Sequence, residues 1–303
     1  MKSEFEQEQQ QECFANWKKS YDDPKELPHS AVNEAANLRY TYEDHLQTNA
    51  GKPLLIEDEY LPFLLSISQE KNHILIDPST FYVKDIRDRK DTPFNTIVFS
   101  LTEPPLVTTE VSKVVMERYF NQKPLSYAFI QSIGKSLGFH QRCPFVSGHE
   151  IFIPERGSTN DSTSWYAVHH ILYVVEIKKT NQMRVFIRHH HDLLLDISPH
   201  SFNEQIERAT TLAHVQCSLA NETFSLFNNT HTSHRADELN IVEKRLNDPA
   251  FIPICFTLKK FIHFTAHYRL SEWMEKTFGE KNPYIDESRA QLFKDYKEDN
   301  SSK

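Results

Sequence analysis

The chain has 303 residues, of which 39% are hydrophobic and 25% charged, and its formal net charge at pH 7 is −8. This length and composition are typical of one large or two modest globular domains. No signal-peptide pattern and no run of about twenty apolar residues is present, so we expect a cytoplasmic protein without a membrane span. The four cysteines lie far apart in the sequence, which disfavours a zinc ribbon and a disulfide framework. Only 6 glycines occur and none forms a phosphate-loop pattern, which disfavours a nucleotide site.

The first fifty residues predict an acidic helical extension. A helix from Ala31 to about Leu46 would carry an apolar stripe, because apolar residues recur there at three- and four-residue spacing. Beyond Gly51 and Pro53, short apolar segments separated by polar turns predict a β-rich region. These segments are Leu54–Ile56, Leu61–Ile67, His73–Ile76, Phe81–Val83 and Thr96–Phe99.

The middle of the chain predicts a three-stranded sheet that leads into a helix. Val111–Phe120 fits either a helix or a strand, and Lys135–Arg142 resembles a basic loop. The predicted strands are Tyr166–Ile177, Met183–Arg188 and Leu193–Ile197, with a polar turn at residues 178–182. Ser201 and Glu204 fit a capping box, which predicts a helix starting near Phe202.

The C-terminal part predicts mainly helices. A polar stretch from Asn221 to His234 is followed by a predicted strand at Phe251–Phe256 and a helix from Leu258 to Phe278 that Gly279 ends. A last short helix is expected around Glu287–Tyr296, before a charged tail.

These segments indicate an α+β fold, with an irregular antiparallel β-sheet core, packed helices, and helical additions at the N- and C-termini. We expect three parts. They are an acidic helical N-terminal extension at 1–50, a β-rich core at 51–220 and a mostly helical C-terminal extension at 221–303.

Positive charge is concentrated in the middle of the chain. Residues 101–200 hold 9 acidic against 10 basic residues, whereas residues 1–100 hold 18 against 11 and residues 201–303 hold 15 against 13. Neutralisation of phosphates by lysine and arginine dominates nucleic-acid affinity, so the net charge of −8 argues against a nucleic-acid binder, and the middle third is the part of the chain compatible with such a site. Lys178 and Lys179 lie at the predicted hairpin tip, and Arg184 and Arg188 share one strand face. Arg142 and Arg156 lie in loops that precede the hairpin, and all six bases could lie along a phosphate backbone. The alternative is an ordinary basic surface hairpin.

Other chemistry has weaker support. His189, His190, His191 and Asp192 are suitable metal ligands by type, but consecutive strand residues point in opposite directions, so a solvated turn fits better. Of the pair His169 and His170, we expect one inside and one exposed. No nucleophile motif occurs, so no catalytic residue, metal or cofactor is predicted. The acidic and basic side chains between residues 84 and 89 fit a solvated surface, and Trp165 fits the core.

At these residues the chain resembles the ComK family of bacterial competence transcription factors. The family pattern ISxxSFxxQ[IV]xR is matched by Ile197, Ser198, Ser201, Phe202, Gln205, Ile206 and Arg208. Upstream, Trp165 with His170, the segment Ile151–Pro154 and the segment Ser126–Ala128 follow the family in order and spacing. The resemblance covers roughly residues 111–215.

The resemblance implies a cytoplasmic transcriptional activator of competence genes that binds double-stranded DNA at paired A-rich and T-rich boxes, mainly through the minor groove. It also implies a homo-oligomer, either dimer or tetramer, and a Clp protease adaptor as a partner. Phe256, Thr257 and Leu258 match only a fragment of the segment that such an adaptor reads. We interpret the following residues as DNA contacts, with Gln205 and Arg208 alternatively anchoring the helix: Lys178, Lys179, Arg184, Arg188, Gln205, Arg208, Arg142 and Arg156.

Two other functions stay open. A diverged family member could have lost DNA binding and act as a protein-interaction regulator, for example by mixed oligomerisation with a true activator. A metal-dependent hydrolase on the histidine-rich sheet would require stoichiometric metal in the purified protein.

Overall fold

The computed structural model describes residues 54–56, 58, 61–101, 103–157, 162–188, 191–227, 238–279, 284 and 287. The helix predicted at residues 31–46 and most of the one predicted at 287–296 lie outside these residues. One hydrophobic cluster runs through the sheets and the helices packed on them. Within the described part of the chain, no helix is both long and apolar enough to cross a bilayer.

The elements follow one another with short connections. The strands are β1 (Leu54–Ile56), β2 (Gln69–Glu70), β3 (Thr80–Asp85), β4 (Thr96–Ser100), β5 (Leu106–Thr108), β6 (Phe145–Ser147), β7 (Glu150–Pro154), β8 (Trp165–Ala167), β9 (Ile171–Ile177), β10 (Gln182–Ile187) and β11 (His191–Leu195). The helices are α1 (Leu61–Ser66), α2 (Ser112–Phe120), α3 (Tyr127–Ser136), α4 (Pro199–Ser225), α5 (Ile241–Leu246) and α6 (Leu258–Phe278).

The strands form two sheets. A seven-stranded sheet has the order β2-β5-β4-β3-β8-β7-β6, and a four-stranded sheet has the order β1-β11-β10-β9. Most neighbours are antiparallel, whereas β1 pairs with β11 and β2 pairs with β5 in parallel. The predicted α+β class is confirmed, with these two parallel pairs added to the antiparallel core.

A 3₁₀ turn at Val168–His170 carries the chain from one sheet to the other. His169 and His170 are both buried, so the expectation that one is exposed was wrong. The reason is the turn itself, because the two rings lie side by side with centroids 4.2 Å apart instead of alternating across a strand. Nε2 of His170 lies 2.7 Å from the Pro78 carbonyl oxygen.

Helix α4 begins earlier than the sequence predicts. Its N-cap is Ser198, whose hydroxyl accepts a hydrogen bond from the Ser201 N–H at 3.3 Å, so the capping box assigned to Ser201 was wrong. Pro199 explains the shift, because its fixed φ and missing N–H suit the first turn of a helix. The helix continues to Ser225, through the first residues of the predicted polar stretch.

Three predicted strands were also wrong. Residues 61–66 form α1, whose buried Leu61 and Leu64 are spaced for a helix face. Residues 73–76 and 251–256 pair with no strand of the described part of the chain. Pro253 lacks the N–H that a ladder needs. The ambiguous segment at 111–120 is the helix α2. The predicted helix Leu258–Phe278 is confirmed, with Gly279 at φ +85° ending it.

Aromatic side chains fill the core between α2, α3 and the seven-stranded sheet. The Phe120 ring lies 4.3 Å from the Phe145 ring and 5.2 Å from the Trp165 ring, and Tyr127 contacts the same group. Trp165 is buried, which confirms the structural role predicted for it.

A buried carboxylate ties α2 to β7. Glu150 accepts hydrogen bonds from the Tyr119 hydroxyl and from Lys123 Nζ, the latter at 2.6 Å. Burial alone would raise the pKa of Glu150, but these two hydrogen bonds and the charge of Lys123 outweigh it and lower that pKa from its ordinary value.

The Glu150 network predicts a pH-dependent part of the stability. A lowered pKa in the folded state stabilises the protein above the unfolded-state pKa of about 4.3, and this stabilisation disappears as pH falls through the folded-state pKa. We therefore expect the urea midpoint of Glu150→Gln to fall less steeply than that of the wild type between pH 6 and the acid limit of folding, roughly pH 3. Parallel midpoint curves for the two proteins would contradict this assignment.

Candidate nucleic-acid interface

The hairpin between β9 and β10 carries two exposed lysines at its tip. Lys178 and Lys179 lie in the turn, where Asn181 adopts a positive φ of 54° that closes it. Among the described residues, neither lysine side chain forms an ion pair or hydrogen bond. Their charges are therefore open to an anionic ligand.

Arg184 lies on the outer face of β10, as its position in the strand predicts. Its Nε and Nη2 donate to one oxygen of Asp192 on β11, at 2.8 and 2.5 Å, and its guanidinium lies 5.2 Å from the centre of the Phe186 ring. The Arg184 side chain is 36% exposed, whereas that of Asp192 is 2% exposed. Arg184 thus reaches the surface with its charge already compensated.

His191 and Asp192 belong to β11 and are buried, with the His191 ring stacked 4.9 Å from that of Phe81. The solvated turn predicted for them was therefore wrong, since they pair with β1 and β10. His189 and His190 lie outside the described residues. Within the described ranges, no group of three or more histidine, cysteine, aspartate or glutamate side chains is arranged to hold a metal ion.

Arg188 lies just beyond the other end of β10 and donates to the Glu238 carbonyl oxygen. Seven residues of extended chain separate it from the tip at Asn181, a distance of about 23 Å. The bases predicted on the hairpin therefore lie at its two ends: the free lysines Lys178 and Lys179 at the tip, and Arg188, bound to a backbone carbonyl, at the far end.

Arg142 and Arg208 form a cluster at the start of α4. Arg142 donates to the Ser201 hydroxyl at 2.6 Å, Arg208 donates to Glu204 at 2.5 Å, and Arg208 also donates to the Gln141 carbonyl. These contacts fasten the loop after α3 to the first turns of α4. The cluster consequently stabilises the helix start, with much of its hydrogen-bonding capacity used inside the protein.

Gln205 is buried on the inner side of α4. Neither its amide oxygen nor its amide nitrogen has a hydrogen-bond partner among the described residues. The buried Tyr166 hydroxyl also has none among them, and the Tyr166 ring stacks on that of Phe202 with ring centres 6.0 Å apart. Buried polar groups of this kind are ordinarily satisfied by an ordered water. Its burial places Gln205 inside the protein and away from the exposed bases of the hairpin.

A cleft of about 730 Å³ opens beside the hairpin tip, between the two sheets. Arg156 lines it together with Thr180 and Gln182 of the hairpin, and Arg87 and Arg89 line it from the loop after β3. Sequence reasoning did not connect the last two with the hairpin, because they precede it by about ninety residues. They meet through the pairing of β3 with β8.

Acidic groups compensate most of the bases in this cleft. Three ion pairs lie here: Lys84 with Asp58 at 2.7 Å, Arg87 with Asp85 at 3.6 Å, and Arg89 with Asp91 at 2.5 Å. Deeper in the cleft, Glu155 accepts a hydrogen bond from the Tyr82 hydroxyl at 2.7 Å. Burial raises the pKa of Glu155.

Arg156 differs from these bases, since its exposed side chain has no ion pair within the described part of the chain. Together with Lys178 and Lys179 it forms a group that we call the tip cluster.

Residues 71–218 match the family model described as ComK protein. Through these residues, the chain belongs to the ComK family. The match contains the whole hairpin and every residue interpreted above as a DNA contact. Membership of ComK supports a competence transcription factor as the general function, and the family is not one of enzymes. No curated protein and no solved structure matches the chain significantly.

Arg184 should matter for folding as well as for any ligand. Arg184→Ala removes two hydrogen bonds and an opposite charge from a buried carboxylate, so we expect a loss of roughly 1–3 kcal/mol in the free energy of unfolding. This loss is smaller than that for a fully buried pair because Arg184 is partly exposed. Lys179→Ala, at an exposed position, should stay within about 0.5 kcal/mol of the wild type. Urea denaturation of both variants measures the difference, and equal stabilities would show that the Asp192 pair is not structural.

Proposed function

We propose that this ComK family member is a DNA-binding transcriptional activator of competence genes, which binds paired A-rich and T-rich boxes mainly through the minor groove. The observation that carries the proposal is the tip cluster: two exposed lysines at the end of a hairpin inside the family domain, with the exposed Arg156 lining the cleft beside that hairpin. We assign the DNA-binding unit to residues 51–220, with the acidic helical N-terminal and mostly helical C-terminal extensions outside it.

The geometry suits recognition by shape. An A-tract has a narrow minor groove with enhanced negative potential that attracts lysine and arginine side chains. A hairpin tip is thin enough to approach such a groove, and Lys178 and Lys179 extend from it. Arg156 then contacts the adjacent backbone phosphates. Few base contacts are needed, because the stiffness and width of the A-tract provide the discrimination.

The remaining predicted contacts take secondary roles in this proposal. Arg184 and Arg188 lie along the same hairpin and reach the DNA only beyond the tip cluster, while Arg142, Gln205 and Arg208 hold α4 in position. Two boxes require two hairpins, so we propose a dimer or tetramer as the DNA-bound form. Recognition by a Clp adaptor through residues 256–258 would need local opening, since Phe256 is buried.

The decisive experiment compares the affinity of the purified protein for a duplex with paired A-tract and T-tract boxes and for a G·C-rich duplex across a salt series. We expect tighter binding to the A-tract duplex, with log affinity falling linearly against log salt concentration. Equal affinities for the two duplexes would reject minor-groove recognition. Absence of binding at low salt would reject the DNA-binding function as a whole.

A second candidate is the protein-interaction regulator. The outer face of β9, at the edge of the four-stranded sheet, exposes 53% of Tyr173 and 49% of Val175. Exposed apolar residues on an edge strand favour association with another chain. Association with a second transcription regulator in the absence of DNA, combined with no DNA binding, would support this candidate over the first.

A further inference from the structure

Helix α6 has apolar side chains on two opposite sides. Its inner side packs on α3, where the rings of Phe261, Phe264 and Tyr268 lie 6.1, 5.8 and 5.1 Å from that of Phe129. Ile262 and Leu270 point away from this contact and are 59% and 45% exposed. A helix that is apolar on both sides is usually covered on both sides.

The outer side of α6 continues into a groove against the end of α4. The groove has a volume of about 390 Å³ and is lined by Leu226, Leu258, Lys259 and Ile262, among others. Leu226 is 70% exposed. An exposed apolar patch with a polar rim marks an interaction site. We call this surface, made of Leu226, Ile262, Leu270 and the bases beside them, the α6 outer face.

The charge of the α6 outer face selects its partner. Three exposed bases lie along it, namely Lys259, Arg269 and Lys276. Glu272 pairs with the last two at 3.2 and 3.0 Å, and the four side chains together carry an excess of positive charge. A second copy docked through the same face would place like charges together, and a nucleic acid would leave the apolar residues without a partner. An acidic amphipathic segment satisfies both the charges and the apolar stripe.

We propose that residues 31–46 of this same chain dock on the α6 outer face. Their apolar residues recur at helical spacing, at Val32, Ala35, Leu38, Tyr42 and Leu46. The segment holds 3 acidic residues against 1 basic residue, so its charge is opposite in sign to that of the α6 outer face. As a helix, this segment would be about 24 Å long, close to the roughly 26 Å between Lys259 and Lys276 along α6.

Docking also explains how the segment could be stable. An isolated helix of about sixteen residues is marginal in water, so it needs a surface for its apolar side. Only seven residues join Leu46 to Leu54 at the start of β1, and the chain between these two residues spans at most about 28 Å. This short connection keeps the segment at high local concentration near the domain.

Amide hydrogen exchange of the full chain tests the proposal without DNA, so its result does not depend on the proposed DNA binding. In the wild type, we expect amides of residues 31–46 to exchange at least about tenfold more slowly than in an unfolded chain. Ile262→Asp and Leu270→Asp should each remove that protection. Leu75→Asp, which places the same charge at an equally exposed leucine outside the α6 outer face, should leave it intact.

Three results would overturn the proposal. They are exchange of residues 31–46 at the unfolded rate in the wild type, protection that survives both α6 variants, and protection that increases with protein concentration, which would indicate docking between molecules. Unchanged exchange of β3 and β4 in each variant shows that the domain has stayed folded. Leu38→Asp in the segment should match the α6 variants, while Asn37→Asp beside the stripe should not.

Discussion

Replacing Lys178 and Lys179 together by alanine should weaken binding to the A-tract duplex and flatten its dependence on salt. Each lost phosphate contact reduces the slope of log affinity against log salt by about 0.9, so we expect a slope shallower by about 2. The folded structure should persist, because both side chains are exposed at a turn. Titration of a labelled duplex by fluorescence anisotropy at four salt concentrations measures both quantities.

The matched control removes two lysines elsewhere. Lys71 and Lys135 are exposed in other parts of the chain, and their double alanine variant changes the net charge by the same amount. It should bind the A-tract duplex with nearly the wild-type slope. If both double variants lose the same slope, the tip cluster has no special role and binding follows net charge alone.

Phe202→Ala should lower the free energy of unfolding more than Arg184→Ala does. Phe202 comes from the family motif, is fully buried at the start of α4, and stacks on Tyr166 at a ring-centre distance of 6.0 Å. Truncation of a buried phenylalanine costs about 3–5 kcal/mol, because the cavity adds to the lost apolar burial. Urea denaturation at neutral pH measures the loss.

Phe227→Ala is the control for this variant, since Phe227 follows the end of the same helix and is largely exposed. The same chemical change there should alter the free energy of unfolding by no more than about 0.5 kcal/mol. A small effect at Phe202 would contradict the packing role that its burial assigns to it.

The sequence was most informative where the pattern is local. Alternation of buried Met183, Val185 and Ile187 with outer residues identified the hairpin, and apolar spacing with Gly279 identified α6. Both patterns depend only on residues a few positions apart. Pro199, which suits the first turn of a helix, is the local signal that marks the observed start of α4.

Contacts between distant parts of the chain could not be predicted in this way. The pairing of Arg184 with Asp192, the tether between Arg188 and residue 238, and the meeting of Arg87 with the hairpin depend on sheet order and register. A base in the sequence therefore predicts charge, while the fold decides whether that charge is compensated. The position of Lys178 and Lys179 in an exposed turn was predicted correctly, because a turn with two lysines is exposed in almost any register.

The residues that match ComK do not enclose the core on their own. β1 and α1 precede residue 71, and their Ile56, Leu61 and Leu64 are buried. A fragment starting at residue 71 would leave β11 as a bare sheet edge, with unpaired N–H and C=O groups beside an uncovered apolar surface. Edges of that kind template pairing with other chains and lead to aggregation. The smallest fragment with a closed β11 edge consequently begins no later than Leu54.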